Sequence, residues 1–406
     1  MTGGKITALP ERLTAWTMDS NKRPLLPTLP TVLLFNLFIG SIVALRPKLQ
    51  IRMAAFVAYI SSLAFIYSCT TGDMRRDYTA GSTLMQQFLT AFSLVWLTDP
   101  LLELRHERDS AHPLTLSFVQ RLYWVQCIIN NPRGVGWNYQ VANVPPRLSV
   151  PRWRFVCQRC FSAFRWYLVL DVIETFILRS CVQNHTIYQH LVGPAQFGTL
   201  IATLAMTYDL LSALSVAAGI HEAHVWPEIY GLWSDAKTVR GFWGRTYHQT
   251  MRRHTATLGK RVCRVIGLQP GSWASSYTQL YIGFAVSGLV HCGGDLMVQP
   301  SAYGSSFKFF IAQAVAISLE DAVIALARRS GVRYSHMMSH FLGYIWVFTW
   351  LCISTPWLVR CLEKVGIIEI HRMPFSLITA LIQSTSRAPA VFSRLFASMI
   401  PENVAC

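Results

Sequence analysis

The sequence predicts an all-α polytopic membrane protein with about eight transmembrane helices (eight or nine), and three observations predict it. The composition is 52% hydrophobic and only 14% charged, where a soluble domain carries about 25% charged residues. The apolar residues gather in eight runs, each close to the ~20 residues that cross ~30 Å of hydrocarbon. Lys and Arg (36) outnumber Asp and Glu (20). They fall between the runs, as cytoplasmic loops facing anionic headgroups do. A nucleic-acid partner is set aside on the same ground, since it needs a basic face on a soluble fold.

The first run, 28–45, follows a polar, Pro-rich lead and precedes no short small-residue cleavage site. It reads as a span and not as a signal peptide. The second, 53–69, is preceded by Arg46, Lys48 and Arg52. The third, 83–102, opens onto a long segment, 103–160, with eight Arg against three acidic residues. The fourth and fifth, 163–182 and 197–219, are separated by Gln183 to Ala195, which holds no Lys, Arg, Asp or Glu. Segment 220–275 then carries eight Lys or Arg against three acidic residues. The sixth and seventh runs are 277–298 and 307–328, and Arg328, Arg329 and Arg333 end the seventh. The eighth is 339–359. Pro374 to Ile400 is apolar but broken by Ser384, Arg387, Pro389 and Arg394. It is a ninth span, a re-entrant helix or an interfacial helix. With no internal repeat, residues 1–406 are expected to form one multi-pass membrane domain.

The positive-inside rule places 103–160 and 220–275 in the cytosol, and the short loop after span four in the lumen with the N-terminus. Arg360, Lys364 and Arg372, beyond span eight, run against this assignment. The sequon Asn184-His185-Thr186 falls in the lumenal loop, where glycosylation occurs. The endoplasmic reticulum is the expected membrane. Ten cysteines are scattered through spans and cytosolic segments. Cys157 and Cys160 have CxxC spacing without the second pair a zinc site needs. His221-Glu222-Ala223-His224 places its histidines at i and i+3, whereas a zincin helix needs i and i+4. No metal is expected.

Acids inside the runs invite two readings. Asp171 and Glu174, Asp209, and Glu320 with Asp321 suit proton or ion coupling in a transporter. They equally suit pairing inside the bundle, which is the favoured reading. His291 lies deep in the sixth run, where an ionisable side chain is costly and marks a functional site by default. Ser287 and Gly288 are small enough to let a helix or ligand approach. Asp295 is at i+4 on the same face, placed to orient the imidazole as the third member of a triad does. A histidine so placed takes the proton of an alcohol attacking a carbonyl, and dry surroundings spare an acyl donor from hydrolysis. Taken alone, His291 fits both catalysis and packing.

A second block supplies context. Trp226-Pro-Glu-Ile-Tyr-Gly-Leu-Trp233, Gly241-Phe-Trp-Gly-Arg-Thr-Tyr-His-Gln249 and Ser287-Gly-Leu-Val-His291 follow one another in order. Together they resemble the wax synthase-like branch of the membrane-bound O-acyltransferases. That branch has a Pro-x-x-x-Gly segment, an FWxRxWHQ-type block and an SGxxH motif; Tyr247 stands here in place of the usual Trp. The block is also similar to the FYxDWWN segment of sterol and diacylglycerol acyltransferases, with His248 at the Asn position. Arg133-Gly-Val-Gly-Trp-Asn138 with Asn143-Val-Pro145 resembles the family's cytosolic RGIGW…NVP segment. The likeness runs from about 100 to 360 in the right order.

The resemblance implies a helical acyltransferase bundle that moves an acyl group from a CoA thioester to a hydroxyl. Acetyl-CoA is the implied co-substrate, with no bound cofactor. His291 is the implied general base, with His248 and Asp295 as its catalytic partners. Phe242, Trp243, Arg245, Tyr247, Gln249, Ser287 and Gly288 are the implied substrate-binding residues, and the Arg245 guanidinium suits a CoA phosphate. Members resembling this chain in length are typical of filamentous fungi, and the resemblance therefore implies acetylation of a terpenoid or meroterpenoid hydroxyl. A wax ester synthase using long-chain acyl-CoA and a fatty alcohol is the alternative within the fold. A proton-coupled transporter is the alternative outside it. Membrane lipids and a lipophilic alcohol are the expected partners.

Overall fold

The computed structural model describes residues 23–178, 185–331, 335–364 and 375–386. Among them the chain is helical, with two isolated bridges, Leu25 to Thr70 and His106 to Trp137. The longer helices are α1 (Thr28–Leu45), α2 (Leu49–Ile66), α3 (Met74–Phe92), α4 (Phe118–Ile129), α5 (Arg152–Val172) and α6 (His185–Ala217). They continue with α7 (Arg252–Val265), α8 (Trp273–Val298), α9 (Phe307–Arg329), α10 (His336–Lys364) and α11 (Leu377–Ser386).

Local chemistry sets several of these boundaries. The Asp73 carboxylate accepts from the Arg76 N–H at 2.8 Å and opens α3, satisfying a donor the helix cannot. Ser117 and Gln120 form a capping box at α4. Ser272 caps α8 through the Ser275 N–H at 3.1 Å. At 26 residues, α8 is about 39 Å long by its rise per residue, ample for the hydrocarbon layer.

Six stretches are long and apolar enough to cross a bilayer: Thr28–Leu45, Leu49–Ile66, Val192–Ala217, Trp273–Val298, Pro300–Arg329 and His336–Leu358. The segments expected as spans three and four lie on helices of a different character. α3 starts nine residues before 83, with Arg75, Arg76 and Asp77 in its first turns, and passes into a π-turn, Ser93–Leu97. α5 carries Arg152, Arg154, Arg159, Arg165 and Asp171. Residues 179–184, Asn184 of the sequon among them, lie outside the described residues, and His185 and Thr186 open α6. Of the apolar stretch 374–400, residues 375–386 are described and hold the 10-residue α11. The described part of that helix is shorter than a span requires.

The described residues divide into two compact units. One is drawn mainly from 23–144 and Gly231–Val347, the other mainly from within Pro145–Tyr230 and Phe348–Arg360. In the first, α8 packs against α3, α7 and α9, and α1 against α4. Its cores include Leu63, Leu84 and Met297 around α2, α3 and α8, and Ile39, Leu94, Trp124 and Ile128 around α1 and α4. The outward Leu29, Leu33, Leu34 and Leu37 of α1 stay exposed, as lipid-facing positions do. In the second unit α5 packs along α6. The buried Arg159 guanidinium donates there to Asp209 at 2.9 Å, Glu228 at 2.8 Å and the Trp226 carbonyl at 2.8 Å.

The acids within the apolar runs have structural partners. Glu320 accepts from the Val239 N–H at 2.6 Å, the Arg240 N–H at 3.2 Å and the Trp346 indole at 2.8 Å. Asp321 holds Arg240 and accepts from Tyr277 at 2.7 Å. Asp171 accepts from the Ile378 N–H at 3.0 Å. Pairing within the fold accounts for Asp171, Asp209, Glu320 and Asp321.

Candidate active site

His291 sits midway along the second half of α8, half-buried, with its ring stacked on Phe310 of α9 at 4.6 Å and 17°. Its Nδ1 is 3.0 Å from the Tyr78 hydroxyl on α3. Tyr78 in turn lies 3.2 Å from the Ser306 hydroxyl, at the start of α9. The Asp295 carboxylate is one turn from His291 but does not meet the imidazole. Its Oδ1 accepts from the Ser306 hydroxyl at 2.6 Å and its Oδ2 from the Ser306 N–H at 2.8 Å. Among the described residues it is linked to His291 through Ser306 and Tyr78. Among the described residues nothing hydrogen-bonds the Nε2 of His291.

Small residues make this arrangement possible. A Cβ on Gly294 would lie 2.7 Å from the Tyr78 ring and 2.6 Å from the Ser82 hydroxyl, so α3 can lay Tyr78 beside His291 only if position 294 lacks a side chain. Gly288 has the same effect toward α9, with the Phe307 ring 2.7 Å from where its Cβ would be. The space at Gly288 is therefore filled by protein. The Ser287 hydroxyl bonds back to the Gly283 carbonyl at 3.1 Å.

The FWGRTYHQ block is a compact turn. Phe242–Thr246 forms a single π-turn, a local widening frequent at functional sites. Gly231 donates to the Thr246 carbonyl at 2.9 Å, and the Thr246 hydroxyl donates to the Leu232 carbonyl at 2.9 Å. Inside the turn Phe242 and Tyr247 are buried and stacked at 5.6 Å. Gln249 is also buried, donating to the Tyr247 carbonyl at 2.5 Å and accepting from Arg252 at 2.8 Å. It braces the turn. Arg245 points outward, 65% exposed, with Asp235 at 3.9 Å.

Trp243 connects this block to His291. Its indole donates to Gln313 at 3.2 Å, and its ring meets Phe309 at 6.1 Å. Phe309 meets Phe310 at 5.1 Å, and Phe310 carries the His291 ring. The aromatic contacts thus run unbroken from the block to the imidazole. His248 bonds Thr250 through Nδ1 at 2.8 Å and lies against Tyr247 at 4.2 Å. Burial pushes its imidazole down to about 3, and charge on His291 and on Arg133 adds to the effect. His248 is therefore neutral at working pH.

The RGVGW segment supplies that Arg133 and supports the block from the other side. Gly134 and Gly136 take positive φ of 65° and 82°, which glycine adopts without strain. Asn143, with φ of 64°, donates to the Gly244 carbonyl inside the π-turn at 2.8 Å. Arg253 lies over the Tyr139 ring at 4.1 Å.

A cavity of about 550 Å³ lies in the second unit, lined in part by Arg152, His221, Glu222 and His224. His221 bonds Ser215 at 2.7 Å and His224 bonds Glu222 at 3.2 Å. These histidines thus have partners at the end of α6 and in the loop after it.

Of the residues singled out in sequence, His248, His291 and the aromatic block come together, and Asp295 joins indirectly. Tyr78, Ser306 and Phe310 were not among them. Tyr78 is 213 residues from His291 in sequence, and no local pattern links the two.

Residues 226–312 match the family model described as the membrane bound O-acyl transferase family. That stretch holds both histidines, Asp295 and Ser306. The acetyltransferase ple2 of Rhodocybe pseudopiperita is 32% identical over 351 residues, covering 83% of this chain and 91% of its own. The acetyltransferase eriL of Hericium erinaceus is 27% identical over 393 residues, covering 92% of this chain and 100% of its own. The O-mevalon transferase yanI of Aspergillus niger is 28% identical over 375 residues, covering 81% and 82%. Fold and comparisons together define a membrane-embedded acyl-transfer enzyme. The chain belongs to the membrane-bound O-acyltransferase family. The transporter alternative falls with that assignment.

Proposed function

We propose that this enzyme moves an acetyl group from acetyl-CoA to the hydroxyl of a lipophilic terpenoid or meroterpenoid in the endoplasmic reticulum membrane. The observation that carries the reading is His291, held at Nδ1 and unbonded at Nε2 among the described residues. The Nε2 takes the hydroxyl proton as the alcohol oxygen attacks the thioester carbonyl. The carbon–sulfur bond then breaks, and the CoA sulfur leaves with the proton that the imidazolium returns. His248, kept uncharged beside it, positions the reactants, and the exposed Arg245 meets a donor phosphate. Supporting the acetyl donor, two relatives bear the name acetyltransferase. The membrane helices around His291 support a lipophilic acceptor.

The test incubates microsomes containing the protein with labelled acetyl-CoA or labelled palmitoyl-CoA, with farnesol and a sterol as acceptors. Acetyl ester formation that disappears in His291→Ala is expected. Ester formation from palmitoyl-CoA alone would replace the acetyl reading with wax ester synthesis. Transfer that survives His291→Ala removes the base assignment.

A further inference from the structure

We propose that Tyr78 and Ser306 join Asp295 in a one-directional hydrogen-bond chain that fixes the tautomer of His291, with the proton on Nδ1 and Nε2 left basic. This rests on His291 being the general base. The direction follows from counting protons. A carboxylate only accepts, and Asp295 receives both the Ser306 N–H at 2.8 Å and the Ser306 O–H at 2.6 Å. A hydroxyl has one proton to give. With its own committed to Asp295, the Ser306 oxygen 3.2 Å from Tyr78 accepts the phenolic proton. With both contacts of the phenol read as hydrogen bonds, its one proton goes to Ser306, and its oxygen, 3.0 Å from Nδ1, accepts the N–H of His291. Nε2 is left with a lone pair.

The chain is rigidly supported. Ser306 is fully buried and Asp295 is 2% exposed, so bulk water does not compete for either. Phe310 stacks on one face of the imidazole, and Gly294 leaves room for the Tyr78 ring. Tyr78, Ser306 and Asp295 touch no reacting atom in this arrangement. They are positioning residues, and the ring nitrogen left unbonded is determined three groups away.

The chain also explains why Asp295 matters without touching His291. In Asp295→Asn the amide donates to Ser306. The hydroxyl proton of Ser306 then turns to Tyr78, Tyr78 donates to Nδ1, and the imidazole carries its proton on Nε2. The base becomes a donor.

Nitrogen NMR of the full-length protein, ¹⁵N-labelled at histidine in detergent micelles, tests this directly. The His291 resonances are assigned by their loss in His291→Ala. The expected result at neutral pH is a protonated Nδ1 and an unprotonated Nε2 in the wild type. Tyr78→Phe should give a mixture of tautomers, and Asp295→Asn a shift toward Nε2–H. With acetyl-CoA and farnesol, kcat should fall about tenfold or more in both variants, with the acetyl-CoA KM within about twofold. Ser306→Ala frees the Tyr78 proton for Nδ1, so it should match Asp295→Asn and tests the chain if Tyr78→Phe does not fold. A wild-type His291 protonated on Nε2 overturns the proposal, as does Tyr78→Phe with an unchanged tautomer. A wild-type tautomer as expected, together with transfer that survives His291→Ala, removes the base assignment and leaves the hydrogen-bond chain standing.

Discussion

Gly81 on α3 and Gly293 on α8 meet backbone to backbone. A Cβ on Gly293 would lie 2.7 Å from the Gly81 carbonyl oxygen, which also accepts the Tyr67 hydroxyl at 2.9 Å. Gly81 follows Tyr78 by three residues, and Gly293 follows His291 by two. The crossing of two bare backbones therefore sets how near the phenol comes to the imidazole.

Gly293→Ala should destabilise the enzyme by about 1–3 kcal/mol, since the new methyl meets backbone and cannot be accommodated by a rotamer change. Gly283→Ala, on the same helix, meets only the Thr255 Cβ at 3.6 Å. It should be neutral or slightly stabilising, by the helix preference of alanine. Thermal unfolding in detergent distinguishes them, and equal melting temperatures would show that α3 and α8 can separate at no cost.

Arg245→Ala should raise the KM for acetyl-CoA roughly tenfold, the equivalent of about 1.4 kcal/mol and typical of one charge-assisted hydrogen bond. Its kcat should hold within about twofold, because the guanidinium is outside the aromatic turn. Steady-state kinetics at two salt concentrations provide the check; an unchanged KM would place the donor phosphates elsewhere.

Breaking one half of the Arg159–Asp209 pair leaves a buried charge unanswered. Arg159→Met should therefore cost about 3–5 kcal/mol, while Arg159→Met with Asp209→Leu should recover a good part of it. A double-mutant cycle on melting free energies measures the difference. Additive losses would mean that the two charges do not depend on each other.

Burial holds the His254 imidazole down at about 4, with the neighbouring Arg253 charge adding to the effect. The unfolded chain binds that proton near pH 6.5. Stability from neutral His254 is thus fully present above about pH 6.5 and drains away as the pH falls toward 4. The loss at pH 5 is on the order of 2 kcal/mol. His254→Gln should flatten the dependence of melting temperature on pH between 7 and 5, and an unaltered slope would assign it to other groups.

The helical membrane fold was legible because a span leaves an unmistakable mark, a run of about twenty apolar residues. The expected first span coincides with α1, and the sixth and seventh match α8 and α9 within four residues. The third and fourth segments were harder, because α3 and α5 bury charged residues, and apolar content then understates the helix. His291 was legible as a costly polar group in an apolar run. Asp295 was legible from i+4 spacing, but that spacing cannot tell a direct bond from one relayed through Ser306 and Tyr78. Those two belong to other helices, so only the packing of α3 and α9 on α8 reveals them. Gln249, expected from the resemblance to bind substrate, has a buried amide that donates to the Tyr247 carbonyl and accepts from Arg252, bonds that sequence does not reveal.

The reach from Tyr78 to His291 also has a consequence in time. The two are 213 residues apart, and at about 5–20 residues per second the ribosome needs roughly 10–40 s to pass from one to the other. Throughout that interval α3 has been made and His291 has not, so the contact between the two cannot yet exist. On the proposed reading of His291 as the base, its chemistry waits for α8 to be made and to pack on α3, so a chain arrested midway through synthesis lacks that centre altogether.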